Sequence, residues 1–145
     1  MIALDSNILV YAHREDSPWH DAAYKCILDL AEGKAAWAIP WPCIHEFLAI
    51  VTHPRIYAPP TPLLKAIDQV NAWLDSPSLV MLAEPSNYWN ELRPILLAGR
   101  VSGPLVHDAR VAALCQQHGI SELLTADRDF SRFPGLRVRN PLIEN

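Results

Sequence analysis

Four acidic residues stand where a folding chain has little use for charge. Asp5 separates two apolar runs, residues 2–4 and 8–10. Glu46 lies in "CIHEFLAIV", where Ile44, Phe47, Leu48 and Val51 form an apolar stripe at helical spacing and Cys43 and Ile50 flank it. A helix apolar nearly all round implies burial, so Glu46 has little solvated face to occupy. Asp108 precedes Val111, Ala112 and Cys115 by three, four and seven residues and shares their helical face. Asp127 follows "SELLT", a strand-like run, with Asp129 two residues on.

Each acid alone has a bland explanation. Asp5 suits an N-cap, Glu46 a solvent-facing position, Asp108 the positive end of a helix dipole, and Asp127 and Asp129 a turn. Taken together, two come from strand ends and two from the inner faces of helices. Crowded carboxylates repel and do not all stay ionised without a cation. Oxygen-only ligands suit Mg²⁺ or Mn²⁺, and one or two such ions can activate water and stabilise the leaving oxygen of a phosphodiester. On this reading Asp5 is a ligand, with Asn7 and Ser6 hydrogen-bonding to orient it.

The elements that must position these acids follow from hydrophobic period and breakers. Strand-length apolar runs at 1–4, 35–40, 78–83, 121–126 and 135–140 alternate with helical patterns. Helices are predicted over 5–14, 17–33 with Ser17 as N-cap and Gly33 as stop, 42–53, 61–77, 86–99 with an interruption near Pro94, and 102–119 ended by Gly119. Residues 54–62 form a proline-rich loop and 127–133 a second loop. The helix over 61–77 carries Leu63, Leu64, Ile67, Val70 and Leu74 on about one face. The alternation predicts an α/β fold with a mainly parallel sheet of four to five strands between helices, in one domain spanning residues 1–145. In such sheets ligands gather at the carboxyl ends of the strands, where Asp5 and Asp127 fall.

Composition agrees with a globular chain: of 145 residues, 50% are hydrophobic and 19% charged. The longest apolar stretch, "AAWAIPWPCI", holds two prolines and is too short to span a membrane, and no signal peptide is predicted. Cys26, Cys43 and Cys115 are scattered and odd in number, which predicts reduced thiols in a cytoplasm, each a small core residue. A net charge of −4 argues against holding nucleic acid by bulk electrostatics but not against a local acidic site offset by metal. "HEFLA" lacks the second histidine of a zinc protease, and no nucleophile elbow, Walker A or dinucleotide glycine pattern occurs.

With those residues in view, the sequence resembles the PIN-domain ribonucleases, specifically the VapC-type toxins of bacterial toxin–antitoxin modules. The resemblance rests on "LDSNILVYA", "HEFLAIVTHPRIY", "VHDARVAALCQQHGI" and "LLTADRDFSRFPGLRV", in that order along nearly the whole chain. It implies a PIN-like three-layer fold and Mg²⁺- or Mn²⁺-dependent endoribonuclease chemistry. By position, Asp5, Glu46, Asp108 and Asp127 match the family's acidic quartet, Asn7 and Thr125 its supporting polar residues, and Asp129 a position that is often acidic. It further implies hydrolysis that leaves 5′-phosphate and 3′-hydroxyl ends, a cognate antitoxin, and a homodimer.

A cationic path to the acids is expected from Arg128, Arg132, Arg137 and Arg139, with Arg110 as a further candidate; nine of the twelve basic residues are Arg, whose planar fork suits phosphate. Ordinary solvated charge is the competing explanation for each. Accessible bases favour single strands and loops as the RNA targets. Trp37, Trp41, Trp73 and Trp89 could stack on bases but read first as core or interface residues. His107, next to Asp108, reads as a substrate contact or as a structural histidine. The helix over 61–77 and the loop before it offer an apolar groove for the antitoxin. Two alternatives stay open: a PIN-like module that binds RNA or protein without cutting, and a small-molecule phosphatase, although "DSNIL" lacks the second Asp of an Asp-x-Asp nucleophile.

Overall fold

The computed structural model describes residues 1–143. Five strands, β1 (Ile2–Leu4), β2 (Trp37–Pro40), β3 (Leu79–Leu82), β4 (Glu122–Leu124) and β5 (Val138–Arg139), form one sheet in the order β3-β2-β1-β4-β5. Every pairing is parallel, with Ala3 opposite Ala38 and Leu123, and Leu4 opposite Leu124. Six helices flank it: α1 (Ser6–His13), α2 (His20–Glu32), α3 (Trp41–Val51), α4 (Leu63–Leu74), α5 (Tyr88–Ala98) and α6 (Leu105–Gln117). The α/β class and the parallel sheet between helices are as the sequence predicts.

Position in the sheet explains strand composition. β1 is central and covered on both faces, so Ala3 and Leu4 are wholly buried and the run cannot alternate with polar residues. The edge strands β3 and β5 expose Val80 and Val138. Buried side chains from Ala3 to Leu136 form one contiguous cluster, with Ile8, Leu9, Trp37, Phe47 and Leu123 at full burial. No helix among the described residues is long and apolar enough to cross a membrane.

Three local predictions differ from the fold. Ser17 does not cap α2. Its Oγ accepts the Trp19 N–H at 3.1 Å and its carbonyl accepts the His20 N–H at 3.1 Å, so Ser17-Pro18 closes a turn and the helix starts at His20. Pro94 does not interrupt α5, which runs through it. The carbonyl that loses its partner, four residues back, belongs to exposed Asn90 and can be met by water. Residues Arg128–Arg132 form a 3-10 helix rather than a loop. The stop at Gly119 is as expected. Its φ of 66° admits the left-handed turn in which Gly119 N–H bonds the Gln116 carbonyl and Ile120 N–H the Cys115 carbonyl.

The amphipathic face of α4 is turned outward. Ala66 and Trp73 are buried and Val70 packs against the core, whereas Leu63 and Leu64 are 62% and 70% exposed, with Ile67 and Leu74 also exposed. Phe47 fixes α4 on α3: its ring lies 4.8 Å from Trp73 and 5.4 Å from His13, both edge-on. Phe47→Ala is therefore expected to cost about 3–5 kcal/mol, read as a lower urea midpoint, while Leu64→Ala stays within about 0.5 kcal/mol of wild type.

Candidate metal centre

The strand order reverses between β1 and β4, and the site lies where both run out. At each strand end an aspartate turns the chain into a helix. Asp5, extended at φ −83° and ψ 163°, accepts the Ser6 N–H at 2.8 Å and caps α1. Asp127 accepts the Asp129 N–H at 2.8 Å and caps the 3-10 helix. The capping explanation of both acids thus holds alongside any other role.

Asp5 is only 5% exposed, and its charge is held by a converging set of donors. Oδ1 accepts from the Ser6 amide, from Ser6 Oγ at 3.5 Å and from the Cys43 thiol at 3.5 Å. Oδ2 accepts from Thr125 Oγ1 at 2.8 Å and Asn7 Nδ2 at 3.2 Å. Thr125 is the hub: it donates to Asp5 and accepts from Asn7 Nδ2 at 3.2 Å and from the Asp127 amide at 3.0 Å. Its hydroxyl capacity is thereby used in full. Asn7 closes the loop by accepting the Ala126 N–H at 3.1 Å. These bonds tie the end of β1 to the end of β4.

Asp108, in the first turn of α6, joins Asp127 and Asp129: the three offer carboxylate oxygens that lie within 4.8 Å of one another. Asp5 and Glu46 are outside that trio but within its electrostatic reach. Burial pushes the Asp108 carboxyl up to about 7, with Asp127, Asp5, Asp129 and Glu46 adding to the rise in that order. Burial likewise raises Asp5 to about 6; the Thr125 and Ser6 bonds pull against it, and the Glu46 charge adds to it. None of the four ion pairs among the described residues involves any of these five acids.

Glu46 is exposed, which agrees with its solvent-facing reading rather than the buried one. His45, Glu46 and Ala49 are contiguous around α3 and form a narrow exposed strip. That strip faces the start of α6 across a groove of ≈ 530 Å³ lined also by Pro104, His107, Asp108 and Arg110. Cys43 is more than the core filler expected: its thiol donates to Asp5. Burial and the Asp5 charge push that thiol well above its usual range, so it stays a protonated donor and no soft thiolate ligand is on offer. Sequence spacing held one signal for this contact, since Cys43 and Glu46 are three apart on one helix. The remaining donors are all oxygen and several carry charge, which fits a hard divalent ion.

The arginines separate. Arg128 and Arg139 line a second groove, ≈ 560 Å³, together with Thr125 and Asp127. Arg139 also pairs with Glu122 at 2.8 Å. Arg110 pairs with Glu84 at 2.9 Å on the groove beside Glu46 and Asp108. Arg132 donates to the Gly99 carbonyl at 3.4 Å and lines a different cavity, between α5 and the 3-10 helix. Arg137 is exposed in the turn before β5.

Comparison with known proteins follows the same outline. The PIN domain family model matches residues 2–136. Ribonuclease VapC43 of Mycobacterium tuberculosis is 34% identical over 143 residues, covering 98% of this chain and 96% of its own. Ribonuclease VapC48 of the same species is 31% identical over 137 residues, 94% of each chain. Among solved structures, VapC20 of M. tuberculosis, a sarcin–ricin loop cleaving toxin, superposes with a TM-score of 0.68 at 15% identity, covering 94% of this chain and 99% of its own. VapBC2 from Rickettsia felis, bound to a promoter DNA fragment, gives 0.66 at 23% identity, covering 97% and 98%.

The raised carboxyls set a pH dependence. Because Asp5 and Asp108 bind protons more tightly folded than unfolded, their contribution is fully present below the ordinary value of 3.8 and is lost as pH rises through about 6 and about 7. In EDTA, the thermal midpoint is therefore expected to rise as pH falls from 8 to 5. Added Mg²⁺ or Mn²⁺ should raise it more at pH 8 than at pH 5, and Asp108→Asn should flatten the pH dependence. Differential scanning calorimetry of both proteins checks this; an unchanged slope in the variant would contradict it.

Proposed function

This chain belongs to the PIN-domain family, and from that premise we propose that it is a metal-dependent endoribonuclease, the toxin of a toxin–antitoxin module. The observation that carries the reading is the acidic cluster at the reversal of strand order, built from α1, α3, α6 and the end of β4. We assign the metal to Asp108, Asp127 and Asp129, with Asp5 and Glu46 completing the charge; Asn7 and Thr125 hold Asp5 and the β4 end in register. Mg²⁺ is the proposed ion and Mn²⁺ its substitute, in keeping with the all-oxygen donor set. When bound, such an ion would acidify water and neutralise charge on the reacting phosphodiester.

The chain's own residues do the rest. Glu46 or Asp127 takes a proton from the attacking water, whose oxygen forms the new bond to phosphorus. The bond from phosphorus to the 3′ oxygen breaks, and that oxygen takes a proton from solvent to leave as a hydroxyl. The products are 5′-phosphate and 3′-hydroxyl ends. Arg128 and Arg139, lining the groove beside Asp127, are proposed to steer the phosphate backbone; Arg110 is a candidate on the other side, and Arg132 and Arg137 are more remote ones. We read residues 1–145 as one PIN domain, supported by the contiguous core. Its proposed setting is the cytoplasm, in keeping with an odd number of scattered cysteines. VapC20, which shares the fold, is a sarcin–ricin loop cleaving toxin, and we propose a cognate antitoxin and a homodimer here too. The outward leucines of α4 support a protein partner.

Incubation of purified protein with single-stranded RNA and Mn²⁺ tests the reading. Wild type is expected to leave 5′-phosphate ends. Asp108→Asn and Asp127→Asn should lose more than the roughly 10–100-fold that removal of a supporting partner costs, and Thr125→Val should fall within that 10–100-fold range. Cyclic 2′,3′-phosphate ends would rule out water as nucleophile, and RNA binding without cleavage would favour the non-cleaving module.

A further inference from the structure

Resting on the ribonuclease reading above, the geometry points to a nucleobase subsite between α3 and α6, where an unpaired base next to the scissile phosphate lies against His45 and His107. The two histidines come from different helices, and each immediately precedes an acid of the site, Glu46 and Asp108. Both are exposed and line the same ≈ 530 Å³ groove, a volume within the about 300–1,000 Å³ typical of small-ligand clefts. Pro42 and Pro104 line it as well and add rigid apolar surface without amide donors.

His45 is held for stacking. Its ring lies 6.4 Å from the Trp41 indole, one helical turn earlier, with planes 27° apart. Trp41 in turn is half-buried and packs against the core. The indole therefore sets the tilt of an exposed imidazole on the groove wall, and a base added there extends an existing stack at little cost in side-chain entropy. Every base has a π-face, so such a platform accepts any of them and prefers those that stack best.

The two grooves flanking the acids divide the work. Beside Asp127, the described lining residues include Arg128, Ser131 and Arg139 but no aromatic ring, which suits sugar and phosphate. Beside Asp108, the lining combines the histidines and prolines with Arg110, whose guanidinium Glu84 holds at 2.9 Å. A strand crossing the acids thus meets cationic side chains on one side and a stacking wall on the other. Only a base free of its complement reaches that wall, which favours loops and single strands over duplex.

NMR titration in saturating Mg²⁺ tests the subsite without requiring cleavage. AMP, GMP, CMP and UMP are compared with ribose 5-phosphate, which carries the same phosphate and no base. Wild type is expected to bind at least one nucleotide about tenfold more tightly than ribose 5-phosphate, within the range of a base–aromatic stack. The His45 and His107 ring signals should shift with nucleotides and not with the sugar phosphate. The nucleotide preference should fall toward unity in His45→Ala, fall also in His107→Ala and Trp41→Ala, and persist in Lys65→Ala, on exposed α4. Equal affinity for all five ligands, no measurable nucleotide binding, or a preference that survives both histidine substitutions would overturn the subsite. A wild type that binds bases here yet cuts no RNA would instead count against the ribonuclease reading alone.

Discussion

The arrangement turns on the mutual repulsion of carboxylates that the fold cannot move apart. Parallel strands β1 and β4 end side by side, with Leu4 opposite Leu124, so the residues that follow them are forced into one crevice. Asp5 sits there in nearly complete burial, and its charge acts on Asp108, which groups with Asp127 and Asp129. The cost is visible in Asp108, whose proton is retained up to about 7 because burial and four neighbouring acids oppose its ionisation. A chain selected only for stability would place other residues at these positions. A divalent cation converts the same repulsion into a binding energy.

What keeps this cluster from collapsing is a hydrogen-bond scaffold rather than counter-charge. Thr125, Asn7 and the amide of Ala126 join two strand ends whose residues are about 120 positions apart in the chain, and the Ser6 amide holds Asp5 locally. The thiol of Cys43 adds a donor from α3, so β1, β4, α1 and α3 all meet at one buried carboxylate. Asp5 thus serves the fold as a cap and the site as an oriented charge, and neither role displaces the other. Rigid support of this kind lets the more exposed acids, Asp129 and Glu46, sit at the solvent edge where a large substrate can approach.

Much of this was legible because the acids interrupt strong apolar patterns. Asp5 and Asp127 each end a strand-length run, and Asp108 falls at helical spacing from Val111, Ala112 and Cys115, so topology alone carries them toward one end of the sheet. Other features depend on which side of an element meets the core, and hydrophobicity does not specify that. A helix apolar nearly all round leaves Glu46 open to burial or to a solvent-facing position, and in the fold three adjacent positions are exposed. The leucines of α4 read as an inward stripe or a partner surface alike; the inward positions are Ala66, Val70 and Trp73. Cys43 looked like a small apolar filler because only tertiary contact reveals its bond to Asp5. The Ser17-Pro18 pair follows helix-start rules yet closes a turn, since the Ser17 oxygens are satisfied locally before the helix begins.

The central claim is that these carboxylates form one cation site. Its most direct test is a crystal structure of the protein grown with Mn²⁺, with the ion located by anomalous scattering. The account predicts an anomalous peak within about 2.0–2.3 Å of carboxylate oxygens of Asp108 and Asp127. A cluster that stays free of Mn²⁺ at millimolar concentration, or an ion held elsewhere on the chain, would contradict it.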